Sequence, residues 1–193
     1  LSFGLEDLFV QTRTEIDSLG ARKVPKDAYY GIQTLRALEN FPVSGIRAPT
    51  VFVRAYVVVK KAAATANLQV GWLDKRIGAA LTKACDEILD GGFLDQFVVD
   101  VFQAGAGTSF NMNVNEVLAN RALEILGKEK GDYKSVSPND HVNMAQSSND
   151  TFPTALHIAS LMALKPLLIE LDKLSEAFEK LGKKYADVIK SGR

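Results

Sequence analysis

The sequence predicts an all-α, mainly helical protein, with an N-terminal helical domain over residues 1–152 and the first long helix of a helix bundle over residues 153–193. Two observations support this fold class. Apolar residues recur at steps of three and four in several windows, and glycines or prolines separate those windows. The periodicity is clearest after Pro153, where it continues for roughly 35 residues, or about 50 Å of α-helix. A helix of that length is typical of a bundle.

The charge balance excludes some classes of partner. The 193 residues contain 23 Lys and Arg against 23 Asp and Glu, so the formal net charge is zero. Nucleic-acid-binding proteins usually carry a basic surplus that neutralises phosphates, and we therefore expect no nucleic-acid partner. The longest apolar run that we identify, Val51–Val59, is interrupted by Arg54, whereas a membrane-spanning helix needs about 20 mostly apolar residues. We therefore expect no transmembrane segment.

The cysteine count and the first residues favour a cytoplasmic protein without a bound metal or cofactor. Cys85 is the single cysteine, so no internal disulfide can form. Its neighbours Asp86 and Glu87 would raise the pKa of the thiol, which makes it a poor nucleophile. Residues 1–7 lack the basic start and the long apolar stretch of a signal peptide. The two histidines and the cysteine match no zinc-binding spacing.

Residues 1–50 are predicted to be mostly irregular, because glycines and prolines interrupt them at short intervals. A short helix over Gln33–Asn40 is the exception, since apolar residues fall there at three-residue spacing, and Asp27 could cap the turn before it. A buried helix is predicted next, over Val51–Leu68, with Thr50 as its N-cap.

The composition of this buried helix leaves one ambiguity. Val57–Val59 would suit a strand equally well, but the alanine-rich continuation over residues 62–66 favours a helix. Lys60 and Lys61 are expected to lie at its solvent-exposed end.

A helix over Lys75–Leu89 has well-marked ends, because Asp74 precedes it as an N-cap and a glycine pair follows it. A glycine-rich loop over residues 103–109 then leads into a helix predicted over Met112–Leu126. The loop lacks the third glycine of a dinucleotide-binding motif and the Gly-Lys-Ser/Thr of a P-loop. It offers instead a helix start, whose unpaired N–H groups and positive dipole end suit a carboxylate. A simple capped turn is the alternative.

Two polar stretches are candidates for a functional site. Asn111, Asn113 and Asn115 lie where a helix should begin, although asparagine is a poor helix former, so they indicate either a functional site or a network of buried amides. Residues 137–150 carry many Ser, Asn and Gln side chains and few permanent charges, which suits either anion binding by neutral donors or a polar surface loop. His141 in this segment could act as an acid–base group or as a hydrogen-bonded structural residue.

These motifs, in their order along the chain, resemble those of the aspartase/fumarase superfamily, from about residue 12 to residue 193. The resemblance rests on short sequences that include Asp17-Ser18-Leu19-Gly20, Tyr29-Tyr30-Gly31, Gly105-Ala106-Gly107-Thr108-Ser109, Pro138-Asn139-Asp140 and Gln146-Ser147-Ser148-Asn149-Asp150. It implies an L-aspartase-like fold, with this chain as the N-terminal portion of a longer protein. It also implies a homotetramer whose active sites are shared between subunits.

Within the superfamily, the ammonia-lyase branch fits better than the class II fumarases. Ser137 stands where those fumarases carry a histidine, and Tyr29-Tyr30-Gly31 resembles the ammonia-lyases. Ser148 instead favours the fumarases, because ammonia-lyases usually have threonine there. The resemblance therefore implies a lyase that converts aspartate to fumarate and ammonia. A class II fumarate hydratase and a non-catalytic structural member of the superfamily are the alternatives.

The resemblance also implies roles for individual residues. The residues expected to bind the dicarboxylate substrate are Thr108, Ser147, Ser148 and Asn149, with Ser109, Asn113 and His141 as supporting residues. Proton removal beside a carboxylate creates a doubly charged aci-carboxylate, which preorganised donors can stabilise. The family's general-base serine loop is expected beyond Arg193. We therefore expect no catalytic residue in this segment and no activity from the isolated chain.

Overall fold

The computed structural model describes residues 11–192, so the features noted for residues 1–7 and for Arg193 lie outside the described residues. The described chain forms a small antiparallel hairpin and five α-helices. The hairpin consists of β1 (Thr12–Asp17) and β2 (Gly20–Pro25), and the helices are α1 (Ile32–Asn40), α2 (Thr50–Gln69), α3 (Lys75–Leu89), α4 (Thr108–Ile125) and α5 (Ser148–Lys184). A short 3-10 turn (Leu94–Gln96) and a π-helical turn (Pro138–Val142) lie between helices. The prediction of a mainly helical protein is confirmed.

The hairpin corrects the prediction that the first 50 residues are irregular outside one short helix. Thr12 pairs with Pro25 at its open end, and Asp17 pairs with Gly20 at the turn. Gly20 has φ 104°, a backbone conformation that residues with a Cβ rarely adopt. Both strands are charged and mostly exposed, so they lack the apolar alternation by which a half-buried strand is recognised.

Helix α1 confirms the predicted short helix. Its N-cap is Gly31, which has no side chain that could accept a hydrogen bond from the first turn. Carboxylates from distant elements satisfy the free N–H groups instead. Glu15 of β1 accepts a hydrogen bond from the Ile32 N–H at 2.8 Å, and Glu116 of α4 accepts one from the Gln33 N–H at 2.8 Å.

The core lies between α2, α3 and α4, with the start of α5 packed against α2. Its largest apolar members, all almost fully buried, are Tyr56, Leu81, Ile88, Phe110, Leu118 and Leu123. The three predicted helices over these segments are confirmed, as is the burial predicted for the first of them. Asp74 caps α3 by accepting the N–H groups of Arg76 and Ile77. Pro49, not Thr50, is the N-cap of α2.

Lys60 is the main correction within this core. It was expected at the solvent-exposed end of α2, but its exposed fraction is 1%. Val53, Tyr56 and Ala64 are buried on the same helix, at spacings of seven, four and four residues from Lys60. Because residues at these spacings share one helical face, Lys60 lies on the buried face of α2.

Helices α4 and α5 both begin earlier than predicted. Helix α4 begins at Thr108 instead of Met112, and Gln103 holds its first turn by accepting the Phe110 N–H at 2.6 Å. Helix α5 begins at Ser148, so Pro153 lies inside it rather than before it. Proline removes one intrahelical hydrogen bond, which tertiary packing around this turn must offset. The division of domains at residues 152 and 153 falls within this helix and stays a prediction.

Most of α5 has no partner within the described chain. Thr151, Ala155 and Ala159 are buried, whereas the helix is exposed from Ser160 onward. By length and composition alone it is apolar enough to cross a membrane, with an 18-residue window of mean hydropathy 1.5. The expectation of no transmembrane segment rested on unbroken apolar runs, whereas a mean hydropathy tolerates single charges such as Lys165. Length and composition alone do not place this helix in a membrane, so the expectation stays a prediction.

Candidate functional site

The starts of α4 and α5 lie side by side. Gly107, the N-cap of α4, has φ 78° and packs directly against the ring of Phe152 in α5. Tyr56 of α2 joins the same two helices, because its hydroxyl donates to Asn111 Oδ1 at 3.1 Å and lies 2.9 Å from Thr151 Oγ1. Two helix N-termini, with their positive dipole ends and unpaired N–H groups, are thereby held next to each other.

The four residues predicted to bind substrate all lie at these two helix starts. Thr108 is the first residue of α4, and Ser147 is the N-cap of α5, followed by Ser148 and Asn149 in its first turn. Ser148 is half-buried, whereas the other three side chains are exposed. The Ser147 hydroxyl oxygen accepts the Asn149 N–H at 3.2 Å, so its own proton is available to another acceptor. The site is thus open to solvent and made of neutral donors.

The predicted supporting residues occupy different surroundings. Asn113 is fully buried, where its Oδ1 accepts the Val98 N–H and its Nδ2 donates to the Gln96 carbonyl, both at 2.9 Å. The amide is therefore committed to the segment before the glycine-rich loop, and this geometry does not support a role in substrate binding. Ser109 is 8% exposed, below the surface that Thr108 occupies.

His141 lies in the π-helical turn, Pro138–Val142, that precedes the start of α5. Its Nδ1 accepts the Ser137 N–H at 2.8 Å, while the Ser137 hydroxyl accepts the Asp140 N–H at 3.0 Å. The ring is half-buried. Of the two roles left open by the sequence, this arrangement fits the hydrogen-bonded structural residue for one ring nitrogen, and it leaves Nε2 uncommitted.

A buried cluster of side-chain amides lies directly behind the start of α5. The Lys60 ammonium group donates to Asn111 Oδ1 at 2.7 Å, to Asn143 Oδ1 at 3.0 Å and to Gln146 Oε1 at 3.0 Å. Asn143 Oδ1 also accepts from Asn111 Nδ2 at 3.1 Å and from Asn115 Nδ2 at 3.2 Å. We call these five residues the amide cluster. The asparagines at the start of α4 thus include members of a buried amide network.

Sequence reasoning missed Lys60, the cation at the centre of the amide cluster. The available signal was its place on the apolar face of α2, four residues after Tyr56. Burial lowers the pKa of Lys60 to about 7. The three amide oxygens around Lys60 favour its ammonium form and so oppose the lowering of its pKa, because only that form carries three N–H donors.

Within residues 11–192, neither the possible metal ligands nor the cysteine forms an alternative centre. No group of three or more His, Cys, Asp or Glu side chains in this range could hold a metal ion. Cys85 is a free thiol with 1% exposure, and burial raises its pKa to about 12. A thiol in that state is a weak nucleophile.

An apolar cavity of about 320 Å³ borders the candidate site. It lies between the start of α2, residues 99–103 and the first turns of α5, and its aromatic lining comprises Phe52, Phe110 and Phe152. These hydrocarbon walls offer few donors, so the cavity does not suit a dicarboxylate. The polar groups at the two helix starts suit one better.

Comparisons with known proteins identify the family. A family model described as Lyase matches residues 20–193. An aspartate ammonia-lyase of Bacillus sp is 54% identical over 181 residues, covering 94% of this chain and 39% of the relative. A class II fumarate hydratase of Halobacterium salinarum is 56% identical over 189 residues, covering 94% of this chain and 38% of the relative.

Solved structures show the same relationship. A Brucella melitensis protein named fumarate lyase:delta crystallin superposes with a TM-score of 0.91 at 55% identity, over 95% of this chain and 43% of that protein. A class II fumarase of Schistosoma mansoni superposes with a TM-score of 0.73 at 41% identity, over 77% of this chain and 32% of that protein. The chain therefore spans about two fifths of the length of the relatives it matches. It belongs to the lyase family, within the aspartase/fumarase superfamily.

Proposed function

We propose that the protein containing this chain converts L-aspartate to fumarate and ammonia. The observation that carries the proposal is the meeting of two helix starts that present Thr108 and Ser147–Asn149 to solvent. Hydroxyl and amide donors at these positions can converge on one carboxylate without a fixed positive charge. Relatives named aspartate ammonia-lyase, from Bacillus and Escherichia coli, support this choice of substrate.

The proposed chemistry explains why neutral donors suffice. Removal of the proton beside the substrate carboxylate places a second negative charge on that group, and hydrogen bonds to it strengthen as the charge develops. Donors that are already oriented stabilise this aci-carboxylate without reorganisation. Departure of ammonia from the neighbouring carbon then gives fumarate. In this proposal the general base comes from sequence beyond Arg193, and the active sites are completed by other subunits of a homotetramer.

A class II fumarate hydratase is the second candidate. It is supported by the Halobacterium relative, whose identity of 56% is slightly above that of the Bacillus ammonia-lyase. Ser148 also agrees with this candidate, as the sequence motif indicated. The two reactions share the elimination through an aci-carboxylate and differ in the leaving group, which is ammonia or water.

One assay separates these candidates. Full-length protein is given L-aspartate or L-malate, and fumarate formation is followed by ultraviolet absorbance, with released ammonium measured in parallel. We expect fumarate and equimolar ammonium from aspartate. Fumarate from malate alone would identify a hydratase, and no turnover of either substrate would identify a non-catalytic structural member of the superfamily.

Replacement of Thr108 by valine tests the substrate site itself. The change keeps the shape of the side chain and removes its hydroxyl donor, so we expect kcat/KM for aspartate to fall by about 10²–10³-fold. Thr65→Val is the matched control, because Thr65 is also an exposed helical threonine but lies on α2. Unchanged turnover in the Thr108→Val enzyme would show that the substrate site has been assigned to the wrong residues.

A further inference from the structure

The start of α5 is preceded by a short loop that the fold holds in an unfavourable backbone conformation. Ala145 has φ 56°, in the left-handed region that residues with a Cβ rarely adopt. Ser147, the cap of α5, follows two residues later. A loop of this kind persists only where its surroundings compensate for the cost. Residues 143–146, which we call the hinge loop, therefore need a restraint from their surroundings.

The amide cluster provides that restraint. Asn143 and Gln146, the two ends of the hinge loop, both accept hydrogen bonds from the Lys60 ammonium group at 3.0 Å. Asn143 Nδ2 donates to the Gln146 carbonyl at 3.0 Å, and Asn67 of α2 donates to the Met144 carbonyl at 3.1 Å. The hinge loop is thus held by hydrogen bonds from two residues of α2, and Lys60 contacts both of its ends.

The charge on Lys60 is costly and has no acidic partner. Its side chain is almost completely buried, and within residues 11–192 no carboxylate forms an ion pair with it. An isolated buried charge is unfavourable unless hydrogen bonds compensate for lost hydration. Three amide oxygens do so here, and two of them belong to the hinge loop. Removal of the ammonium group would leave Gln146 Oε1 without its donor, whereas Asn111 Oδ1 and Asn143 Oδ1 would keep their bonds from Tyr56 and from the neighbouring asparagines.

We propose that Lys60 is a positioning residue, whose ammonium group fixes the hinge loop and so sets the place of Ser147, Ser148 and Asn149. This proposal rests on the proposed function only for the identity of the substrate. Lys60 lies behind the site and does not take part in the chemical step. Its loss should therefore disorder the hinge loop and weaken substrate binding, even where the rest of the core remains folded.

The test uses full-length protein with Lys60→Met and, as a matched control, Lys61→Met. The unbranched methionine side chain is one atom shorter than that of lysine and removes the charge. Lys61 is the adjacent residue, whose charge forms an ion pair with Asp86 at 2.5 Å near the surface. Amide hydrogen exchange is measured over residues 143–149, with residues 80–88 of α3 as the internal reference, and KM and kcat are measured for aspartate.

For Lys60→Met we expect exchange over residues 143–149 to become at least about tenfold faster, since its restraining hydrogen bonds are lost. We also expect KM to rise by about tenfold, with a smaller change in kcat, because positioning of the substrate donors is what is lost. Lys61→Met should leave both quantities unchanged. Unchanged exchange in the hinge loop of the Lys60→Met protein would overturn the proposal.

A milder variant covers the case in which Lys60→Met does not fold. Gln146→Met removes one of the three acceptors, and we expect faster exchange over the same residues, by about threefold or more. If both single variants fold, the double variant should show little more than the larger single effect, because both changes disrupt one network. Additive effects, or unchanged exchange in Gln146→Met, would contradict the proposal. The exchange measurements do not depend on turnover, so an inactive wild-type protein would refute the proposed function alone.

Discussion

At the scale of single residues, Glu116 ties the N-terminal segment to the helical core. Its side chain is 1% exposed and accepts hydrogen bonds from the N–H groups of Gly31, Gln33 and Thr34, as well as from the Thr34 hydroxyl at 2.6 Å. Burial raises the pKa of Glu116 to about 7, and these four hydrogen bonds act in the opposite direction. The carboxylate takes the place of an N-cap that helix α1 lacks.

Glu116→Gln should therefore destabilise the protein strongly. The amide replaces an acceptor oxygen by an N–H₂ group that faces backbone N–H donors, so we expect a loss of ~2–4 kcal/mol in the free energy of unfolding. Denaturant unfolding of the full-length protein measures this loss. Glu39→Gln, on the exposed side of α1, is the control and should change the free energy by less than about 0.5 kcal/mol. Equal effects of the two variants would contradict this role of Glu116.

Asp100 likewise satisfies backbone N–H groups of a distant segment, the loop between α1 and α2. Its carboxylate accepts the N–H groups of Phe102, Ser44 and Gly45 at 2.7–2.8 Å, together with the Ser44 hydroxyl. These hydrogen bonds lower the pKa of Asp100 from 3.8 to about 2, and the bond from the Phe102 N–H has the largest effect.

This pKa shift predicts the pH dependence of the loop. Because the pKa in the folded protein lies below that in the unfolded chain, the stabilisation is present above pH 3.8 and is lost as the pH falls through about 2. Exchange protection of the Ser44 and Gly45 amides, corrected for intrinsic rates, should therefore decrease between pH 4 and pH 2. Asp100→Asn should lose much of this protection already at pH 5. A wild-type protein with constant protection to pH 2 would disprove the assignment.

At the scale of secondary-structure elements, the contact between the two helix starts depends on Gly107. A Cβ at this position would overlap the ring of Phe152, and φ 78° is itself unfavourable for residues with a Cβ. Helices α4 and α5 can approach so closely only because residue 107 has no side chain. The glycine-rich loop therefore serves helix packing as well as backbone turning.

A comparison of Gly107→Ala with Gly105→Ala should separate the cost of overlap with Phe152 from the cost of an unfavourable φ. Both glycines have positive φ, but a Cβ at residue 105 would meet only Thr108 Oγ1, at an ordinary distance of 3.6 Å. We expect Gly105→Ala to cost about 1–2 kcal/mol from backbone strain, and Gly107→Ala to cost about 1–3 kcal/mol more from overpacking. Denaturant unfolding of the full-length variants measures both. Equal costs would show that the Phe152 contact is unimportant.

At the scale of the whole molecule, α5 presents apolar side chains that nothing in residues 11–192 covers. They recur at three- and four-residue steps on the exposed part of the helix, at Leu164, Leu167, Leu171, Leu174, Phe178 and Leu181. Exposed apolar surface of this extent marks an interaction surface. We propose that a helix bundle covers these side chains, a prediction that agrees with the coverage of only 39% of the Bacillus relative.

An activity assay on the isolated chain tests this view of the molecule. We expect residues 1–193 alone to form no fumarate from aspartate, because the proposed site has donors at two helix starts but no general base. The full-length protein, assayed at the same molar concentration, is the control. Fumarate formation by the isolated chain would mean that these residues contain a complete active site.

Several features of the molecule followed from local patterns alone. The bounds of α3 and its Asp74 cap could be predicted because capping and helical periodicity depend on neighbouring residues. The candidate residues Thr108 and Ser147–Asn149 came from short motifs, whose resemblance to those of the superfamily implied their role. The charged hairpin was not predicted. Strand pairing depends on contacts between separate segments, and no pattern within a single segment reveals it.

The sequence by itself determined the helical fold class, the family and the residues at the two helix starts. Only the tertiary structure showed that these starts adjoin, that Glu116 caps α1, and that Lys60 is buried among amides from α4 and the hinge loop. Each of these facts joins residues far apart in the chain. A lysine after three valines is compatible with either an exposed or a buried position. The difference lies in whether distant acceptors compensate for its lost hydration, and only folding brings them together.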